Sequence, residues 1–158
     1  RDAMATIEQH TGKPCVGYLA PSLTHTELTI DLFAEEGGLY TCDLFHDDQP
    51  TPLTLRSGRK FVSIPYSLEL NDSITVAVSK VEPRRWGDMI KRSFDRLYSE
   101  GERSGTVMCV PVHGYQVAQP HRLAAFEEAI GYITGHEDVW VTTGREIAQW
   151  SPATRMSG

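Results

Sequence analysis

Two hydrophobic rhythms alternate along this chain: short continuous apolar runs, and longer stretches with apolar residues three and four apart. Residues 15–20, 39–45, 61–66, 106–112 and 139–142 are the short runs, and they predict five strands. Helical spacing appears first in residues 1–11, where Ala3, Met4 and Ile7 share a face and Gly12 stops the helix. That helix has no N-cap residue at its start, so it reads as entered in mid-stride, a piece of something longer. Thr24 and Glu27 predict a capping box for a helix ending at Gly37–Gly38, and a polar loop follows the second strand. Trp86, Met89, Ile90, Phe94 and Leu97 form a helical stripe that Gly101 ends. Pro120 suits the first residue of a helix with Leu123, Phe126, Ile130 and Ile133 on its buried face, closed by Gly135. Thr143 and Glu146 make a second capping box, and the final SPATRMSG reads as a loose tail.

Strands that are apolar throughout, several followed by helices, predict a parallel α/β sheet or barrel. At 158 residues the chain has the length of one domain, here residues 1–150 with 151–158 as tail. The formal charge of -6 argues against a nucleic-acid footprint, which needs a basic face. No apolar run reaches membrane-spanning length. Cys15, Cys42 and Cys109 each sit in a strand-like run without CxxC spacing, which predicts buried reduced thiols and a cytoplasmic setting. Neither GxGxxG nor GxxxxGK[ST] occurs, which weakens a nucleotide-binding reading.

In parallel α/β folds, active sites gather at the carboxyl ends of strands. Those ends carry Pro21–Ser22, the stretch from Asp43 to Asp48, Tyr66 through Asp72, His113, and Thr142–Thr143. His113 closes an apolar run just before a helical stretch, where it serves either as a proton-transfer group or as a strand-end histidine bonded to a loop. Asp47 and Asp48 either orient such a histidine and bind substrate, or make a local Asx turn before Pro50. Tyr66, Glu69, Asn71 and Asp72 lie in PYSLELND, which suits either contacts to substrate hydroxyls and amides or a solvated turn at Asn71–Asp72. His10, His25, His46, His121 and His136 sit at helix ends or in loops, and no HExxH-like spacing marks a metal site within the chain. Ser22, Ser63 and Ser67 lack a GxSxG setting.

Five segments occur in order: GYLAP (17–21), YTCDLFHDDQP (40–50), FVSIPYSLELND (61–72), VMCVPVHGYQVAQPHR (107–122) and HEDVWVTTGREIAQW (136–150). Together they resemble the carboxyl-terminal half to two-thirds of a polysaccharide deacetylase-like protein, the carbohydrate esterase family 4 or NodB-homology group. The resemblance is closest to the branch with metal-independent allantoinases and cytosolic peptidoglycan-deacetylase-like proteins. It implies a distorted (β/α) barrel of seven or eight strands that hydrolyses an amide, typically an N-acetyl group on a sugar, with metal-activated water. It assigns His113 the role of general acid and places Asp48 or Asp47 near the motif that supports the histidine. Tyr66, Glu69, Asn71 and Asp47 are then the expected substrate contacts. Leu19 stands where many members carry an arginine. The TFDDG-like and HxxxH-like motifs, which hold the base and the ligands of a divalent metal such as zinc, do not occur in these residues.

Two functional expectations follow from this resemblance. One is an amide hydrolase acting on an N-acetyl sugar or an allantoin-type ureide, complete only with upstream residues. The other is a non-catalytic half-barrel that binds a ligand, pairs with an amino-terminal half in a partner chain, or forms a homo-oligomer.

Overall fold

The computed structural model describes residues 1–151, so the predicted tail beyond Ser151 lies outside the described residues. The described elements are the helices α1 (Asp2–Thr11), α2 (Thr29–Glu35), α3 (Pro83–Glu100), α4 (Gly114–Val117), α5 (Pro120–Thr134) and α6 (Gly144–Trp150), and the strands β1 (Gly17–Tyr18), β2 (Tyr40–Thr41), β3 (Thr51–Thr54) and β4 (Lys60–Ser63). They fall into two compact units, Arg1–Pro65 together with the described chain from Thr142 onward, and Tyr66–Val141.

The first unit is built on a small mixed sheet of order β1-β2-β4-β3. β1, β2 and β4 run parallel, as continuous apolar runs predict, and β4 is buried at Phe61, Val62 and Ser63. β3 departs from the expected polar loop: it pairs antiparallel with β4, Thr51 opposite Ser63 and Thr54 opposite Lys60. Gly58, at φ 72°, supplies the left-handed residue of the connecting turn. Pro52 is tolerated because β3 is an edge strand, where a missing N–H breaks no second ladder.

The helix termini in this unit separate correct from incorrect capping expectations. Gly12 adopts φ 67° and its N–H closes α1 on the Glu8 carbonyl. Thr24, expected as an N-cap, is diverted into a 3-10 turn at Pro21–Leu23, where its N–H and hydroxyl both bond the Pro21 carbonyl. The helix therefore starts later, at Thr29, whose hydroxyl oxygen accepts the Thr26 N–H at 2.9 Å. At α6 the expected capping box is complete, with reciprocal bonds between Thr143 and Glu146.

The second unit is helical. Glu82 caps α3 by accepting the Arg85 N–H, and Pro83 occupies its first turn. Trp86, Ile90 and Phe94, spaced by four, line its buried face. α5 packs against it closely enough that a Cβ on Gly87 would lie 2.9 Å from the Ala125 carbonyl oxygen. Phe126 stacks on Trp86 with centroids 5.9 Å apart, and Ala129 is fully buried between the helices. Met108 and Val110 pack onto this core, yet residues 106–112 carry no strand ladder among the described residues, and neither do 139–142. An apolar run reports burial, whereas a ladder also needs a neighbouring strand. Among the described residues no helix is long and apolar enough to cross a membrane.

Two tests follow. Ile90→Ala should cost about 2–5 kcal/mol, because a fully buried side chain is replaced by a cavity between α3 and α5; urea unfolding measures it, and a cost near zero would show that this core is not packed as described. The Glu146 carboxyl is held below the usual carboxylate range by the Thr142 hydroxyl, then the Thr143 N–H and hydroxyl. A lowered folded value contributes stability above the ordinary carboxylate range that disappears as pH falls through the lowered value. Amide-exchange protection factors of α6, corrected for the intrinsic pH dependence of exchange, should fall in acid accordingly, and Glu146→Gln should flatten that fall.

Candidate active site

His113 ends the run 106–112 and serves as the backbone N-cap of α4, with φ -109° and ψ 119°. Its own carbonyl accepts the N–H groups of Gln116 and Val117, so the residue is fixed by the turn that follows it. The carboxylate of Asp72 meets it from 41 residues away. Asp72 Oδ1 lies 2.7 Å from His113 Nδ1, and Oδ2 accepts the His113 backbone N–H at 2.9 Å. The Asp72 N–H in turn donates to the Pro111 carbonyl at 3.2 Å.

This two-point clamp has chemical content. Asp72 is only 2% exposed, and an ionised carboxylate only accepts, so Nδ1 is the protonated nitrogen of the neutral ring. Nε2 is then the nitrogen left to take up and give away a proton. The His113 side chain is 38% exposed, so the ring is fixed at its Nδ1 edge without being sealed from substrate. Tyr115 leans edge-on against it, centroids 5.6 Å apart.

The loop that delivers Asp72 is tied down residue by residue. The buried Trp86 indole N–H donates to the Leu70 carbonyl at 3.0 Å, anchoring the loop to the α3–α5 core. Asn71 Oδ1 accepts the N–H groups of Ser73 and Ile74, and its Nδ2 donates to the Tyr66 hydroxyl at 2.9 Å. The Thr75 hydroxyl donates to the Glu69 carbonyl at 2.6 Å, and the Ser67 hydroxyl oxygen accepts the Leu70 N–H. A π-helical turn, Ser73–Val78, follows directly.

These bonds sort the residues expected from the sequence. Tyr66 and Asn71 come together, but with each other, and Asn71 spends its carbonyl on the turn. The Glu69 side chain is exposed and reaches only Ser67, at 3.4 Å. Asp47 and Asp48 are exposed in the first unit; Asp47 Oδ1 accepts the Gln49 N–H in an Asx turn. Within the second unit, the carboxylate that meets His113 is Asp72. Sequence reasoning set Asp72 beside Glu69 and Asn71 as either a substrate contact or a turn residue, and no local spacing joins it to His113. The half-buried thiol of Cys109 is pushed up by desolvation, opposed by the Ser67 backbone, which makes it a poor nucleophile. None of the three cysteines is in a disulfide, and each is half-buried rather than fully buried.

No protein-family model matches the chain. A Schizosaccharomyces pombe protein named as a polysaccharide deacetylase is 31% identical over 123 residues, 71% of this chain and 38% of the relative. The peptidoglycan deacetylase of Helicobacter pylori is 29% identical over 174 aligned positions, 90% of this chain and 58% of its own length. Among solved structures, the Puue allantoinase superposes with a TM-score of 0.85 at 31% identity, covering 94% of this chain and 49% of the other. These likenesses fit a partial member of the NodB-type, polysaccharide deacetylase-like proteins. The chain spans about half the length of these relatives, as the resemblance in its five segments implied. The α/β character expected of a NodB-type protein is present as a small, mainly parallel sheet with helices.

The clamp predicts a spectroscopic outcome. In ¹⁵N-labelled protein, neutral His113 should carry its proton on Nδ1, and Asp72→Asn should abolish that preference, read from long-range ¹H–¹⁵N ring correlations. Asp72→Ala should also cost about 1–3 kcal/mol, because the His113 N–H loses its acceptor.

Proposed function

We propose that these residues form part of a deacetylase-like hydrolase of carbon–nitrogen bonds, in which His113 is the proton donor and Asp72 its orienting carboxylate. The observation that carries this reading is the clamp: a buried carboxylate engages both the ring and the main chain of a histidine whose other ring edge is left for substrate. After water adds to the amide carbonyl, the C–N bond breaks and its electron pair passes to nitrogen. The proton on His113 Nε2 goes to that nitrogen, so the product leaves as an amine rather than as an unstable amide anion. Asp72 stays ionised and holds the ring in register while its charge changes.

The barrel belongs to this proposal as well. The parallel strands β1, β2 and β4 suit one arc of a distorted (β/α) barrel, with catalytic groups at strand carboxyl ends. A divalent metal such as zinc is the family's usual source of activated water. Among the described residues no three His, Cys, Asp or Glu side chains gather to hold such an ion, and both oxygens of Asp72 are engaged by His113. The names of the relatives support an N-acetyl sugar as substrate, and the likeness to an allantoinase supports a ureide as the second reading.

The test is turnover by the complete protein carrying these residues, assayed on N-acetylglucosamine oligomers and on allantoin. His113→Gln should lower kcat by about 100-fold or more with little change in KM. Asp72→Asn should lower kcat in the same direction and change the pH profile. Wild-type turnover in the His113→Gln protein would overturn the assignment.

A further inference from the structure

A second histidine–carboxylate pair stands in the sheet-containing unit. Asp43 follows β2 by two residues and Ala20 follows β1 by two, so both lie at the carboxyl ends of neighbouring parallel strands. The Asp43 side chain is fully buried. Its Oδ1 accepts the Ala20 N–H at 2.8 Å, and its own N–H is held by the Thr41 hydroxyl oxygen at 3.2 Å. Oδ2 is buried and, among the described residues, has no hydrogen-bond partner. The group facing it is His25, whose Nδ1 lies 3.7 Å away, too far for a hydrogen bond but close enough for charge attraction. The loop between Ala20 and His25 holds Ser22 at φ 54° and Leu23 at φ 57°, a conformation that side-chain-bearing residues rarely adopt.

A buried carboxylate oxygen without a donor is unfavourable, and a fold that keeps one generally has a use for it. We propose that Asp43 and His25 form a binding site for the carboxylate group of a small ligand. Oδ2 is most fully satisfied by a proton on Nδ1 of a cationic ring, through a charge-assisted bond. The ring then presents Nε2–H outward from a side chain that is 28% exposed, and an oxyanion is the matching acceptor. The ligand thus closes the pair: its oxygen takes Nε2–H while Asp43 takes Nδ1–H. The site depends on one unit only and stands whether or not His113 is the proton donor of a hydrolase.

Acetate is the probe. In the ¹⁵N-labelled complete protein carrying these residues, at fixed pH and with chloride holding ionic strength constant, acetate should shift both His25 ring nitrogens saturably and raise Tm. Asp43→Asn retains the acceptor for the Ala20 N–H and removes the charge; it should keep or raise Tm without ligand and abolish the His25 response. Should that variant fail to fold, His25→Gln decides by losing the acetate-dependent rise in Tm. A His25 ring indifferent to acetate, a full response in Asp43→Asn, or an undiminished Tm rise in His25→Gln would each overturn the site.

Discussion

A carboxylate withdrawn from water must find its donors within the fold, and Asp72 takes both from a single residue. That economy couples two segments 41 residues apart and makes the orientation of His113 a property of the main chain as well as of the ring. Everything nearby bears on keeping Asp72 in place. The indole of Trp86 holds Leu70, Asn71 locks the following turn, and Pro111 receives the Asp72 N–H. The chemistry of the loop therefore depends on the packing of α3 against α5, because Trp86 reaches Leu70 only from a face fixed by Ile90, Ala129 and Phe126.

Local signals were readable wherever the physics is local. Gly12 at a helix end, Pro120 in a first turn, and the Thr143–Glu146 box all act within four residues, and each is found as its pattern predicts. The failures are equally physical. Thr24 had a competing carbonyl at Pro21 that no helix pattern encodes. β3 was missed because strand pairing with β4 is decided across a turn by an alternation shorter than a reliable window. The runs at 106–112 and 139–142 showed apolar character without showing whether a neighbour would pair with them.

The candidate site divides along the same line. His113 stood out by its position at the end of an apolar run, and the family resemblance sharpened its role. Its carboxylate did not stand out, because a tertiary pair separated by 41 residues leaves no periodic trace. The resemblance pointed to Asp48 or Asp47 as the carboxylate near the histidine's motif; Asp47 Oδ1 accepts a neighbouring turn N–H. Orientation was the missing variable: composition says which groups can move protons, and only the fold says which of them face one another.

The π-helical turn after Asp72 has a consequence for how such chains diverge. Its widened bond, from the Ser79 N–H to the Ile74 carbonyl, accommodates one residue more than an α-turn would. A lineage that deletes one residue there recovers ordinary helical geometry downstream while Asp72, fixed upstream by Leu70 and Pro111, keeps its position. The interval between the ND pair and the tryptophan of α3 thus holds one residue more than an α-turn would use, so it is the anchoring of Asp72 and not a fixed spacing to α3 that sets the carboxylate's position.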